Sequence, residues 1–252
     1  IGYPKRIWHG GTDRGCIEAP HLYKRNGYYY IMCAEGGTGY GHSVTMGRSK
    51  NVWGPYEKDP QNPIVTSIPG DFNERHDPDH LKPKYFNPDS ILQKSGHGSY
   101  IENELGEVYL VHLTSRPFVP ELRCTLGRET AMQKMKWTED GWLRMADGSN
   151  LAKEYFEPSK LPEVPVKQIP DFDDFDDETL GIQYYAPRIM PQRFIDLKSR
   201  PGYLRMRGQE SRTSLNKVSI LARKLTSVHA TITTKMEFNP EVHQHSAGLI
   251  MY

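Results

Sequence analysis

The sequence predicts an all-β protein in two parts: hairpins of the kind that build propeller blades, then short strands spaced like those of a β-sandwich. Three observations carry this. Aromatic and aliphatic runs recur on either side of turn signals. No stretch sustains helical periodicity, apart from a short turn expected near "NLAKEYFEPSKL". A proline-rich and then acidic segment divides the chain. Composition agrees, since 15 Tyr and 19 Pro in 252 residues lean towards strands and turns.

The first hairpin is "HLYKRNGYYYIM", where Asn26-Gly27 between two apolar runs signals a type I′ turn. "SYIENELGEVYLVHL" repeats the plan around Gly106, and "MKWTEDGWLRM" repeats it around Asp140-Gly141. The first two hairpins superpose in sequence with Gly27 on Gly106, an offset of 79 that carries Glu18 to His97. Repeated antiparallel units of this kind suggest blades whose innermost strands meet at an axis. Residues 57–92, rich in Pro, Asp, Asn and His, read as an insertion between them. "EPSKLPEVPVKQIPDFDDFDDE" has four prolines and then an acid block that lacks the glycine of a calcium loop, so it reads as a connector. Beyond it, "GYLRMRG", "KVSILARKL", "HATITTKMEF" and "SAGLIMY" alternate like sandwich strands.

Charge excludes some partners. With 32 basic and 31 acidic residues the chain offers no field that favours nucleic acid or an acidic membrane. Its longest apolar run, "YYYIMCA", is far shorter than a membrane-spanning helix. Cys16, Cys33 and Cys124 are an odd count at unrelated spacings, which points away from a disulfide framework or zinc site and towards a reducing compartment. The expected location is therefore cytoplasmic, with a periplasmic or extracellular one as the alternative. Ile1 stands where an initiator Met is usual, so a longer parent protein is expected.

Three residues and one loop stand out as chemistry. Glu18 lies among Ile17, Ala19 and Pro20 at the start of a strand; an apolar setting raises a carboxyl pKa and suits a general acid. The alternative is a turn cap, or a surface pair with Lys24 or Arg25. His97 sits between two glycines, where the backbone can approach a ligand or simply turn sharply. "EGGTGYGH" reads as a packed turn presenting Thr38, Tyr40 and His42; no phosphate-loop lysine follows. Arg128 adjoins Glu129, either as a structural pair or as a fork aimed at sugar hydroxyls or a carboxylate.

"CIEAPHLYKRNGYYYIMCAEGGTGYGHSVTMGRSKNVWGPYE" resembles glycoside hydrolase family 43, in its β-xylosidase and α-L-arabinofuranosidase branch. "SGHGS", "GEVYLVHLTSRP" and "LGRETA" fit the same branch in the same order, and residues 68–86 fit it least. "GYLRMRGQESRTSLNKVSILARK" resembles the concanavalin-like sandwich that follows the propeller there. The resemblance implies a partial five-bladed β-propeller over 1–152, a linker over 153–170 and a partial concanavalin-like β-sandwich over 171–252. It implies an inverting exo-glycosidase that releases xylose, or arabinose, from non-reducing ends of xylan-derived oligosaccharides. Glu18 matches the general acid, Arg128 an arginine at the pocket floor, Thr38 a pocket-lining loop, and His97 a histidine that in some members sits by a hydrated calcium ion. No cofactor is required, and that calcium ion is an optional one.

The family's two catalytic Asp residues find no match here, because Asp13 is the sole Asp ahead of Glu18. The expectation is therefore a fragment that carries the acid without the base and is inactive alone. Its partners are a xylooligosaccharide or arabinoside, the missing N-terminal blades and, in addition, a second copy of itself. A non-catalytic sugar-binding propeller module is the alternative from another functional class.

Overall fold

The computed structural model describes residues 2–70 and 85–251. The segment 71–84, which holds most of the least-matched stretch at 68–86, lies outside the described residues. The chain divides into two compact units, Ile1–Lys167 and Gln168–Tyr252. The division falls inside the expected linker.

The first unit holds two antiparallel meanders. One runs β1 (Glu18–Arg25), β2 (Tyr28–Glu35), β3 (Ser43–Ser49) and β4 (Glu57–Lys58), with β5 (Val65–Thr66) pairing on β3. The other runs β6 (Gln93–Glu102), β7 (Val108–Ser115), β8 (Glu129–Trp137) and β9 (Leu143–Met145). Each meander has the strand order of a propeller blade. The residues at 57–66 complete the first sheet and are not part of an insertion.

Local chemistry sets each turn. Asn26 and Gly27 both have positive φ, at 48° and 80°, which is the type I′ geometry that matches strand twist. The second hairpin closes through a longer loop, Asn103 to Glu107. Asn103 Oδ1 accepts the backbone N–H groups of Leu105 and Glu107, at 3.0 and 2.9 Å. This loop puts Glu102 opposite Val108. Arg25 and Glu102 are thus the matching last residues of β1 and β6, an offset of 77 instead of 79. By register the counterpart of Glu18 lies at Lys94–Ser95, and His97 occupies a bulge further along the strand.

The two sheets share one core. Tyr30, Met32, Val44, Met46, Ile64 and Val65 from the first pack with Leu110, Met135, Trp142 and Leu143 from the second. A buried ion pair stitches their edges together: Arg144 Nη2 donates to Asp59 Oδ1 at 2.7 Å and Arg144 Nε donates to Gln61 at 2.8 Å.

In the second unit, β10 (Ile195–Asp196) pairs with β11 (Arg205–Met206), and bridges join Tyr185 to Ala222 and Glu210 to Val218. Phe194, Val218 and Ile220 are buried there. "HATITTKMEF" and "SAGLIMY", expected as strands, form no ladder among the described residues, and 229–238 and 246–251 are exposed. A strand is held by hydrogen bonds to a neighbour, and alternation alone does not supply one.

Candidate active site

Glu18 opens β1 opposite Ala34. The chain before it is anchored by a second carboxylate, Glu35, which is fully buried. Glu35 accepts from Gly11 N at 2.5 Å, Thr12 N at 3.0 Å, Thr12 Oγ1 at 2.5 Å and Thr45 Oγ1 at 2.7 Å. Arg14 donates to the carbonyls of Gly41, Ile68 and Gly70 and to Thr66 Oγ1. Gly36 N donates to Gly15 O at 2.9 Å. Residues 11–15 are therefore clamped against the loop 36–42, and Glu18 is presented just beyond the clamp.

The Glu18 side chain is exposed, with Ile17 and Ala19 only half-buried. This corrects the apolar setting expected from sequence: the hydrophobic neighbours in the chain do not enclose the carboxylate, because the backbone reverses around them. Cys16 and Ala19 have φ of 45° and 49°, and a bulge interrupts the register between Glu18 and His21. Among the described residues neither Lys24 nor Arg25 pairs with Glu18. Arg25 instead meets Glu102 on the second sheet.

Loop 36–42 leads from β2 into β3. Gly36 has φ +81°, and a Cβ there would stand 2.0 Å from Gly41 O, so only glycine closes this turn. Thr38 is exposed at its tip, whereas Tyr40 and His42 are buried. Of the three residues expected to be presented, the loop presents one.

His42, expected on the loop's surface, is instead a buried hub. Its Nδ1 lies 3.0 Å from Lys94 O. Its ring stands against Gly96, where a Cβ would fall 2.5 Å from the ring. Burial, with smaller contributions from His97, Arg128 and His112, pushes its pKa down to about 4. By register, Gly96 is aligned with Leu113 and Leu113 with Thr130, which brings the residue just before β8, and His97 beside Gly96, to the side of the sheet where this imidazole is buried. His97 is exposed on the β6 bulge with φ 57°, and Lys94 on the same strand has φ 57°. Strained backbone of this kind, costing of order 1–3 kcal/mol per residue, clusters at functional sites. Here it marks the first strand of each meander and the residues just ahead of β1.

Arg128 is exposed just before β8. Its sequence neighbour Glu129 is taken by Arg116, with Nη2–Oε1 at 2.7 Å and Nε–Oε1 at 3.1 Å. Among the described residues Arg128 makes no ion pair, so the structural pairing considered from sequence does not form. Lys94 Nζ lies 3.9 Å from Cys124 Sγ and 4.8 Å from the Tyr40 ring centroid, which ties the loop leading to Arg128 onto β6.

Strand polarity places Glu18, Thr38, His97 and Arg128 at the same end of the two sheets. Among the described residues no hydrogen bond or ion pair links Glu18 to His97 or Arg128. Among the described residues, too, no cluster of three acids, histidines or cysteines could hold a metal.

Comparison with known proteins gives consistent results. The profile of glycosyl hydrolases family 43 matches residues 2–143. That of the β-xylosidase C-terminal concanavalin A-like domain matches residues 172–252. A β-xylosidase of Bacillus subtilis is 41% identical over all of this chain and 45% of its own length. A non-reducing end α-L-arabinofuranosidase of Bacteroides ovatus is 34% identical over 96% of this chain and 42% of its own. The crystal structure of a xylan β-1,4-xylosidase from Bacillus halodurans superposes with TM-score 0.80 and 45% identity, covering 90% of this chain and 40% of that one. The chain spans less than half the length of these relatives.

Proposed function

This chain belongs to glycosyl hydrolase family 43, and from that premise we propose that it supplies the acid side of an inverting exo-glycosidase pocket. The architecture is that of a partial propeller followed by a partial concanavalin-like sandwich. The substrates are non-reducing ends of xylan-derived oligosaccharides, with xylose or arabinose released. The observation that carries the reading is a carboxylate, Glu18, held at the start of an innermost strand, with the exposed Arg128 guanidinium at the same end of the neighbouring sheet.

Glu18 donates a proton to the leaving glycosidic oxygen. A bound sugar displaces water from the carboxyl and brings the glycosidic oxygen against it. Arg128 forks onto sugar hydroxyls, and Thr38 and His97 line the wall. An inverting reaction also needs a carboxylate on the opposite face of the sugar, roughly 6.5–9.5 Å from the acid, to activate water. Glu35 does not serve, because four hydrogen bonds occupy it in the interior. The chain alone is therefore expected to bind sugar without hydrolysing it. A hydrated calcium ion by His97 would be held through water alone, and no step depends on it. A reducing compartment fits three cysteines without a pairing pattern.

A second reading is a sugar-binding propeller module without catalysis, favoured by the same commitment of Glu35. The deciding experiment fuses this chain behind the part of the Bacillus subtilis relative that precedes the matched region, and assays nitrophenyl xyloside and nitrophenyl arabinofuranoside. Turnover that vanishes with Glu18→Ala supports the enzyme. Binding without turnover in the fusion supports the module.

A further inference from the structure

We propose that His42 is a positioning residue for Arg128, with its Nε2 lone pair accepting a hydrogen bond from the guanidinium as that fork swings into the pocket. The inference rests on the pocket assigned above and adds a residue to it. Four observations converge.

The Nδ1 contact to the Lys94 carbonyl at 3.0 Å requires Nδ1 to carry the proton, because a carbonyl can only accept. In the neutral ring Nε2 is then a lone pair. That Nε2 is buried and meets no hydrogen-bond partner among the described residues, a state that is costly for a polar atom. The ring is held by that Nδ1 bond and hemmed in by Gly96, where an added Cβ would fall 2.5 Å from it. Finally, the register brings Arg128 close: Gly96, against the ring, is aligned with Leu113, and Leu113 with Thr130, two residues beyond Arg128. His97, Arg128 and His112 each add to the lowering of the His42 pKa. His112 is committed to Leu113 O and Gln133, each at 3.0 Å. Arg128 is a fork of donors with no acid partner among the described residues, since Glu129 is held by Arg116. A fixed acceptor without a donor and a donor fork without an acceptor thus share one cluster.

The test uses the 252-residue chain labelled with ¹⁵N-histidine and long-range ¹H–¹⁵N correlation spectra. Arg128→Met and Arg128→Lys should both move the His42 Nε2 resonance towards that of a free lone pair while Nδ1 stays in place. An Nε2 resonance unmoved by Arg128→Met overturns the proposal. So does Arg128→Lys reproducing the wild-type resonance, because charge alone would then suffice. A second arm titrates methyl β-xyloside. His42→Leu should weaken binding roughly tenfold, as expected when a charged donor loses its acceptor, and His42→Gln, which keeps an acceptor, should restore most of it. Equal losses in the two variants also overturn the proposal. Wild-type chain that binds no xyloside counts against the substrate assigned above, and the Arg128 spectra then decide this inference by themselves.

Discussion

Acidification from pH 7 to pH 4 should destabilise the first unit, with His42 as the main cause. Its pKa falls from 6.5 to about 4 on folding, chiefly through burial. The unfolded chain therefore binds the proton more readily throughout that interval. The stability contributed by the neutral ring is full above pH 6.5 and is lost as pH falls towards 4. At about 1.36 kcal/mol per tenfold change, the loss amounts to roughly 3 kcal/mol. His112, also lowered by burial, acts in the same direction. Urea unfolding followed by tryptophan fluorescence reads this out, because Trp137 and Trp142 pack in the shared core. With a urea slope of about 1–3 kcal/mol per molar, the midpoint should drop by roughly 1–3 M. His42→Gln should lower stability at pH 7 and flatten the curve between the two His42 values, 6.5 and about 4. Wild-type pH dependence in that variant would refute the reasoning.

Three further outcomes follow from particular contacts. Asp59→Ala leaves the buried Arg144 guanidinium uncompensated and should cost about 3–5 kcal/mol in urea unfolding; a loss below about 1 kcal/mol would mean that the pair is solvated in solution. Cys33 is buried and its thiol is pushed up to about 12 by burial, so a thiol reagent at about pH 8 should label exposed Cys16 quickly and Cys33 only on unfolding; rapid labelling of Cys33 in the folded chain would contradict the packing. Glu107 is held down to about 2, first by Ser159 and then by Asn103, so the stability it lends is present above its unfolded value of 4.5 and is lost progressively as pH falls from there towards 2. Glu107→Gln should soften the acid limb below pH 4.5, and an effect of that variant between pH 6.5 and 4.5, where His42 titrates in the unfolded chain, would count against the assignment.

Much of the first unit was legible because its determinants are local. Asn26-Gly27 fixes a two-residue turn, and the aromatic and aliphatic runs on either side of it mark β1 and β2. The same signals located β6 to β9. What sequence could not supply was geometry set by distant contacts. The 79-residue offset shifted to 77 because Asn103 builds a longer loop through its side chain. Apolar neighbours suggested a buried Glu18, yet the bulge after it leaves the carboxylate exposed. Arg128 and Glu129 are adjacent in sequence, but Arg116, just past the end of β7, claims the acid. The burial of His42 carried no local signal, since its partners Lys94 and Gly96 are remote in sequence. The strands expected in the second unit were read from alternation, and alternation does not reveal whether a neighbouring strand is present.

The claim that Glu18 is the general acid of an inverting site is tested most directly by ¹H NMR of xylobiose hydrolysis, using the fusion with the Bacillus subtilis relative. The first xylose released from the non-reducing end should appear as the α-anomer, before mutarotation. Glu18→Gln should slow this reaction by about 10²–10⁴-fold, and should slow nitrophenyl xyloside less, because nitrophenol leaves with little protonation. Release of the β-anomer, or equal losses on the two substrates, would contradict the account.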